Sequence, residues 1–479
     1  MDHRRIRTLI VVWAGAVGFA ASPAFAQGQT SLSSLLPDLI LRDVTLPTPT
    51  TPGLSHSAHF SPFGSDDPDN PEVAIVESVN KLIGDQLASF PIGSSTGGFT
   101  YTFDPGLGTF RRGSSSFGPA FAERATTNGR HRFSAGFNYQ HVSYSSIEGS
   151  NLGDGSIDFY LHHEDCCSAG SGAVAPPFFG VNQTPDGTNL SPFFEGDVIQ
   201  AALSMRITSD TFALFGNYGV TNRLDVGIAV PIVRVSLDAK VLATIIRLST
   251  SSNPLIHTFV AGDPTATQKT FARSGSATGL GDVLLRSKYR VADFPGGGVA
   301  VGLDLRLPTG DESNLLGGST QGKITLIGST GQSRLAEHVN ASYTLSRKNG
   351  TTVPGTAIVS TGDFPDEIGY AGGAEFVASP RLTVLGDIVG RTLRKAGRLD
   401  MMDKTFQYEL PGPKVLPPHM SQFLEFQPRP GNLNLVFGTI GAKYNPRGNL
   451  LVTASLLMPL TDGGLKSRLS PVVGIDFAF

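Results

Sequence analysis

The chain has 479 residues, with 57 glycines, 32 prolines, 30 phenylalanines, 2 cysteines, 16% charged residues and a net charge of -3. So little charge excludes a disordered polyelectrolyte, two cysteines exclude a disulfide scaffold, and the missing basic surplus excludes a nucleic-acid binder, which has to neutralise phosphates. The length suits about two to four ordinary domains or one large β-barrel.

Residues Met1 to Ala26 read as a secretory signal peptide: a basic start (Arg4, Arg5, Arg7), an apolar run from Leu9 to Ala21, and Ala24-Phe25-Ala26 ahead of the expected cleavage point. No cysteine follows the run to support a lipoprotein anchor, and the run falls short of the roughly 20 residues that span a bilayer as a helix. No later segment offers a long uninterrupted apolar stretch, so any membrane crossing has to be made by strands.

Residues 27–129 form a mostly irregular extension. A short apolar stretch (Leu35, Leu36, Leu39, Ile40, Leu41) leads into a Pro/Thr linker and an acidic turn. One helix is predicted where Val73, Val76, Val79, Ile83 and Leu87 share a face, ending before Pro91. After a Gly/Ser-rich connector, Phe99, Tyr101 and Phe103 alternate into a turn at Pro105-Gly106, with a return strand at Thr109 to Arg111.

From residue 130 the period becomes two. Phe133, Ala135, Phe137 and Tyr139 oppose Ser134, Gly136, Asn138 and Gln140, and Val299, Val301, Leu303 and Leu305 oppose Ala300, Gly302, Asp304 and Arg306. Alternation alone suits either a soluble sandwich or a transmembrane barrel. Segment lengths near the ~9 to 11 residues of an oblique crossing favour the barrel. So does the last strand, with Val473, Ile475, Phe477 and the terminal Phe479 on one face, which resembles the closing strand of bacterial outer-membrane barrels. Fourteen candidate strands begin near positions 131, 154, 196, 210, 222, 281, 297, 322, 335, 366, 380, 432, 447 and 468. The expected fold is therefore an all-β, antiparallel transmembrane barrel over 130–479 of about fourteen strands, with 12 to 16 admissible since strand numbers are even. Ser209-Asp210 and Asn445-Pro446-Arg447-Gly448 are read as periplasmic turns, and 164–195, 238–278 and 393–430 as extracellular loops.

The run Gly279-Leu280-Gly281-Asp282-Val283-Leu284-Leu285-Arg286-Ser287-Lys288-Tyr289, with Pro308-Thr309-Gly310-Asp311 and Asn217 to Gly227, resembles the outer-membrane barrels of the meta-pathway of phenol degradation. These are similar in architecture to the fatty-acid and toluene transporters. The resemblance implies a barrel that passes small hydrophobic or aromatic compounds, and an N-terminal plug or hatch that 27–129 could supply.

The densest reactive cluster is His162-His163-Glu164-Asp165-Cys166-Cys167. Adjacent side chains of an extended segment point apart, so a structural loop with a vicinal disulfide between Cys166 and Cys167 is preferred to a metal site. Gly93-Ser94-Ser95-Thr96-Gly97 matches a nucleophile-elbow pattern, but a helix precedes it and a strand follows, the reverse of what the elbow needs. No catalytic residue, metal or cofactor is assigned.

The remaining signal is lumenal charge. Arg132, Arg206, Arg223 and Arg381 are among the residues expected to face inward, and Arg286, Lys288, Arg290 and Arg306, with Asp282 and Asp304, form the best candidate constriction. The expectation is an outer-membrane channel of a Gram-negative-type bacterium for passive uptake of small hydrophobic compounds, with lipid and the barrel assembly machinery as partners. A nonselective porin and a structural or adhesive surface barrel are the competing readings.

Overall fold

The computed structural model describes residues 31–47, 71–88, 98, 100–104, 109–112, 114–162, 197–251, 254–255, 257–332, 334–348, 365–408, 419–429 and 431–479. The signal peptide, the Gly93 to Gly97 connector and the Cys166-Cys167 pair lie outside them.

Twelve strands close a barrel. In chain order they are β1 (Phe133–Ile147), β2 (Val198–Gly219), β3 (Leu224–Ile246), β4 (Leu284–Phe294), β5 (Gly297–Arg306), β6 (Ser319–Gln332), β7 (Leu335–Lys348), β8 (Glu367–Ser379), β9 (Leu382–Leu393), β10 (Leu433–Arg447), β11 (Leu450–Pro459) and β12 (Ser470–Ala478). Each pairs antiparallel with its chain neighbour, and β12 pairs with β1 in the register Val473 to Tyr139 and Phe477 to Ala135. Closure leaves no edge with unpaired backbone groups, which a lipid-facing sheet could not tolerate.

Twelve falls at the low end of the expected range, and two features account for the difference from fourteen. The strand near 154 (Ile157–His162) pairs with the upper half of β2 outside the closed ring. The strands near 196 and 210 are one strand, so Ser209-Asp210 is not a turn: both residues sit mid-strand, opposite Val235 and Arg234. The turn after β10 does form, at Gly448, where Asn445 Nδ2 donates to the Gly448 carbonyl at 2.9 Å. The interval 238–278 is strand at both of its ends, since β3 runs on to Ile246 and Gln268–Leu280 pairs back against it. The interval 393–430 carries a hairpin, Arg398–Tyr408 with His419–Arg429.

The short links 220–223, 295–296, 380–381 and 448–449 lie at one end of the barrel, with the start of β1 and the terminal Phe479. The long connections lie at the other. By the rule that periplasmic turns are short and extracellular loops long, this orients the barrel. The exterior is an apolar belt whose members include Leu326 at 57% and Val339 at 64% exposure, with Val473, Ile475, Phe477 and Phe479 completing it across the seam. Such a surface is stable against lipid and not against water.

Beyond the belt β2 and β3 continue outward, and their two faces exchange polarity. On β3 the outward residues Val226, Ile228 and Ile232 give way to Arg234, Ser236, Asp238 and Lys240. The inward residues change from Asp225 and Gly227 to Val235, Leu237, Val241 and Ile245, all buried. Outside the membrane the solvent lies outward, so the apolar face turns in and forms a small conventional core.

The N-terminal extension fills that core. A helix α1 (Leu32–Pro37) widens into a π-helical turn over Asp38–Asp43. Pro37 has no N–H to offer the Ser33 carbonyl four residues back, and Asn80 Nδ2 donates to it instead at 2.6 Å. Asn80 lies on α2 (Pro71–Ala88), the helix expected from the apolar spacing. Ile75, Val76, Val79, Leu82, Ile83 and Leu87 of α2 are buried in the same cluster as Leu35 and Leu36 of α1, Leu39 of the π-helical turn and the inner wall of β2 and β3. The expected hairpin also forms, as Tyr101–Asp104 and Thr109–Arg112.

Candidate functional site

Strand alternation puts a polar row inside the belt: Asn217, Asp225, Lys288, His338, Asn340, Glu375, Asp387, Lys443 and Asp476 are all buried. Much of this row is satisfied by one irregular segment, residues 114–130, which leads into β1. A segment with no helix or sheet must find its backbone hydrogen bonds elsewhere, and here the barrel wall supplies them.

The partners come from successive strands. Phe117 N donates to Thr383 Oγ1 at 3.2 Å, and Gly118 N to Glu375 Oε2 at 2.9 Å. Ala120 N and Phe121 N share Asp387 Oδ2 at 3.0 and 3.2 Å. Glu123 N donates to Asn340 Oδ1 at 2.7 Å, Ala125 N to Ser329 Oγ at 3.0 Å and Asn128 N to Asp225 Oδ2 at 2.8 Å. In the other direction, Lys443 Nζ donates to the Pro119 carbonyl at 2.7 Å and Lys288 Nζ to the Arg124 carbonyl at 3.2 Å. The segment curls around its own buried Arg124, whose Nη1 donates to the Ser116 carbonyl at 3.3 Å. Gly118 makes the curl possible: its φ is +87°, and a Cβ there would lie 2.9 Å from the guanidinium carbon of Arg124.

Among the described residues, two chambers adjoin the segment. Toward the long-loop side is a cavity of about 180 Å³ lined by Phe121, Glu123, Arg286, Lys288, Asp304, Arg306, Lys323, Tyr370, Val389 and Arg391 among others. Toward the short-turn end a polar cavity of about 580 Å³ is lined by Ser114, Thr126, Arg223, Arg290, Asp293 and Glu337 among others.

The charges expected at a constriction separate between these chambers. Arg286 lies 3.9 Å from both Glu123 and Asp304, Lys323 lies 3.2 Å from Asp304, and Lys288 lies 3.7 Å from Glu123. Arg306 lines the same cavity. Arg290 sits in the lower chamber, 2.5 Å from Asp293, which also faces Arg223 at 3.3 Å. Asp282 has a different role: it organises the loop after β5 by accepting from Gly310 N at 3.0 Å, Gly318 N at 2.9 Å and Ser319 N at 3.3 Å. Of the other expected lumenal arginines, Arg206 is exposed on the outward face of β2, Arg381 is exposed in the 380–381 link, and Arg223, in the β2–β3 turn, borders the lower chamber. Sequence reasoning missed Lys443, which the alternation of Ile440, Ala442 and Tyr444 against Gly441 and Lys443 could have placed inward, and Arg124, for which no pattern signals burial.

No curated protein sequence matches the chain. An outer-membrane channel from Pseudomonas putida F1 is 10% identical over 74% of this chain and 98% of its own, with a TM-score of 0.42. The monoaromatic hydrocarbon channel CymD is 10% identical over 73% and 88%, with a TM-score of 0.32. The toluene transporter TbuX from Ralstonia pickettii is 12% identical over 73% and 90%, with a TM-score of 0.25. Residues 199–363, which contain the Gly279 to Tyr289 and Pro308 to Asp311 motifs, match the family described as "Putative MetA-pathway of phenol degradation".

Proposed function

We propose that the protein is an outer-membrane channel for passive uptake of small hydrophobic or aromatic compounds, gated by residues 114–129, the end of the 27–129 extension, acting as a plug. The observation that carries this reading is the lumenal chamber of about 180 Å³ resting on the plug segment. A cavity of roughly 150 Å³ accommodates benzene, so one aromatic ring fits. The chamber offers Phe121, Ile327 and Val389 as apolar surface beside its ion pairs. Arg286, Lys288 and Arg306 with Asp304 form the polar side of the path. The family match within 199–363 points the same way.

In this reading the signal peptide is removed near Ala26, the barrel assembly machinery receives the terminal strand, and lipid surrounds the belt. Solute moves down its gradient and no bond is made or broken. The decisive test is uptake of a labelled monoaromatic compound into proteoliposomes, with a sugar of similar size as control. Aromatic entry without sugar entry supports the reading, equal entry of both makes the protein a nonselective porin, and entry of neither leaves a structural barrel. Deleting 27–125 should raise current in planar bilayers; an unchanged current removes the plug.

A further inference from the structure

The plug accounts for residues 114–129 and leaves α1 and α2 unexplained, because they lie at the opposite end of the barrel. We infer that α1 and α2 form a lid on the extracellular mouth, held shut by Arg273 and facing the cell exterior. This goes beyond the uptake reading by giving the path a second closure, and it rests on that reading for its purpose but not for its test.

The placement follows from contacts. Leu32 and Leu35 of α1 meet Gly275 on the Gln268–Leu280 strand, where an added Cβ would come within 2.8 Å of Leu32. Gly84 of α2 faces Leu315 in the loop after β5, and Gln86 Oε1 accepts from Leu465 N at 2.8 Å in the loop after β11. All three belong to long-loop connections, the extracellular end by the turn-length rule.

The attachment is separable from the barrel. Arg273 donates from Nε to Asp43 Oδ2 at 2.5 Å, from Nη2 to Asp43 Oδ1 at 2.9 Å and from Nη1 to Asp38 Oδ2 at 3.0 Å. This forked arrangement of one guanidinium on two carboxylates has high geometric specificity. It joins the π-helical turn that continues α1 to a strand that lies outside the closed ring, so breaking it leaves the twelve-strand ladder intact. What the lid covers is apolar: Leu237, the register partner of Gly275, is 1% exposed and belongs to the same cluster as α1. A raised lid therefore opens an apolar basin at the mouth, the chemistry that collects a hydrophobic solute from water.

The test uses full-length protein with Cys166 and Cys167 replaced by Ser. Arg42 in the π-helical turn that follows α1, half-exposed, is changed to Cys and intact cells are treated with a charged, membrane-impermeant maleimide. Labelling equal to that of permeabilised cells is expected, and labelling only after permeabilisation overturns the extracellular placement. Separately, Leu237→Cys in purified, liposome-embedded protein is treated with a small uncharged maleimide, with and without Arg273→Ala. Loss of the latch should speed the reaction at least tenfold, and equal rates overturn the lid. Should Arg273→Ala fail to show the gel shift of a folded barrel on boiling, Asp43→Asn weakens the same latch and carries the same expectation. Neither readout involves transport, so absent solute uptake would remove the channel reading alone.

Discussion

Asp387 is the residue through which the plug reading is most exposed to refutation. Its Oδ2 accepts from Ala120 N and Phe121 N, while Oδ1 meets His338 Nε2 at 2.8 Å. A hydrogen bond to a charged acceptor contributes about 1.5–3 kcal/mol, so Asp387→Ala removes roughly 3–6 kcal/mol of gross attachment from two adjacent amides. Part is returned, because a buried carboxylate no longer needs solvation and water from the adjoining chambers can reach the freed N–H groups. A net loss of about 2–3 kcal/mol corresponds to a ~30- to 150-fold rise in the population of the detached segment, at 1.4 kcal/mol per factor of ten. The assay is hydrogen exchange of the 117–128 peptide in detergent-solubilised protein, together with single-channel open probability. Exchange should accelerate by that factor in 117–128 while β10 to β12 stay protected. Unchanged exchange in a protein that still shows the folded-barrel gel shift would refute the claim that the wall carboxylates hold the segment.

Three further outcomes are expected. Gly219→Ala should cost about 1–3 kcal/mol or block assembly, because a Cβ there would lie 1.9 Å from the Gly129 carbonyl oxygen at the seam where the plug enters β1; retention of the wild-type urea midpoint refutes it. Leu326→Arg in the belt should destabilise the barrel in lipid vesicles by about 2–4 kcal/mol, whereas Ser236→Arg on the outward face of the extension should change little; similar costs at both sites would misplace the membrane boundary. The third concerns the extracellular loop 247–267, pinned by a fully buried Asp197 that accepts from Ser249 N at 2.8 Å, from Thr250 Oγ1 and from His257 Nδ1 at 2.7 Å. Burial holds the His257 imidazole below its ordinary 6.5 despite Asp197 beside it. Burial would raise the Asp197 carboxyl, but its hydrogen bonds from His257, Thr250 and Ser249 keep it below 3.8. The unfolded loop thus takes up a proton on His257 before the folded one does, so loop stability falls as pH drops below about 6.5. A second loss follows below about 3.8 as unfolded Asp197 protonates. Protease sensitivity of 247–267 should rise between pH 7.5 and 5.5 and lose that rise in His257→Gln.

The barrel was legible because a strand in lipid keeps one rule along its length: apolar residues outward, polar inward. Phe133, Tyr139, Leu303, Val339 and Phe479 obey it and are lipid-facing. The rule fails where β2 and β3 leave the membrane. Around Ile207 to Asp210 and Ile232 to Val235 the apolar residues change sides without any turn. A reader who equates apolar with outward sees a phase break there and places a turn at Ser209-Asp210. The helix α2 was legible because its apolar residues recur at helical spacing. The helical turn ending at Asp43 was not, since its stability comes from a wall of β3 and a side chain, Asn80, that no local pattern predicts.

The lumenal charges were legible as inward-facing, but the reason for them was not. Alternation shows that Glu375, Asp387, Asn340 and Asp225 point in, and a solvated pore or a solute path would require nothing more. The structure adds that each of the four accepts a backbone N–H from residues 118–128. An irregular segment inside a barrel carries a full set of donors and acceptors with no ladder to satisfy them, and leaving a buried one unpaired costs about 1–3 kcal/mol. The wall is therefore patterned to a particular chain, and this is why its signs are mixed: carboxylates and amides answer N–H groups, while Lys443 and Lys288 answer carbonyls. A second group of charges, Asp304 with Lys323 at 3.2 Å and Arg286 at 3.9 Å from both Asp304 and Glu123, gathers at the chamber beside it. On this division, neutralising Asp304 should alter which solutes pass while leaving hydrogen exchange of 117–128 unchanged, the converse of Asp387→Ala. If Asp304→Asn loosened the segment as Asp387→Ala does, the separation between anchoring and path-lining residues would be wrong.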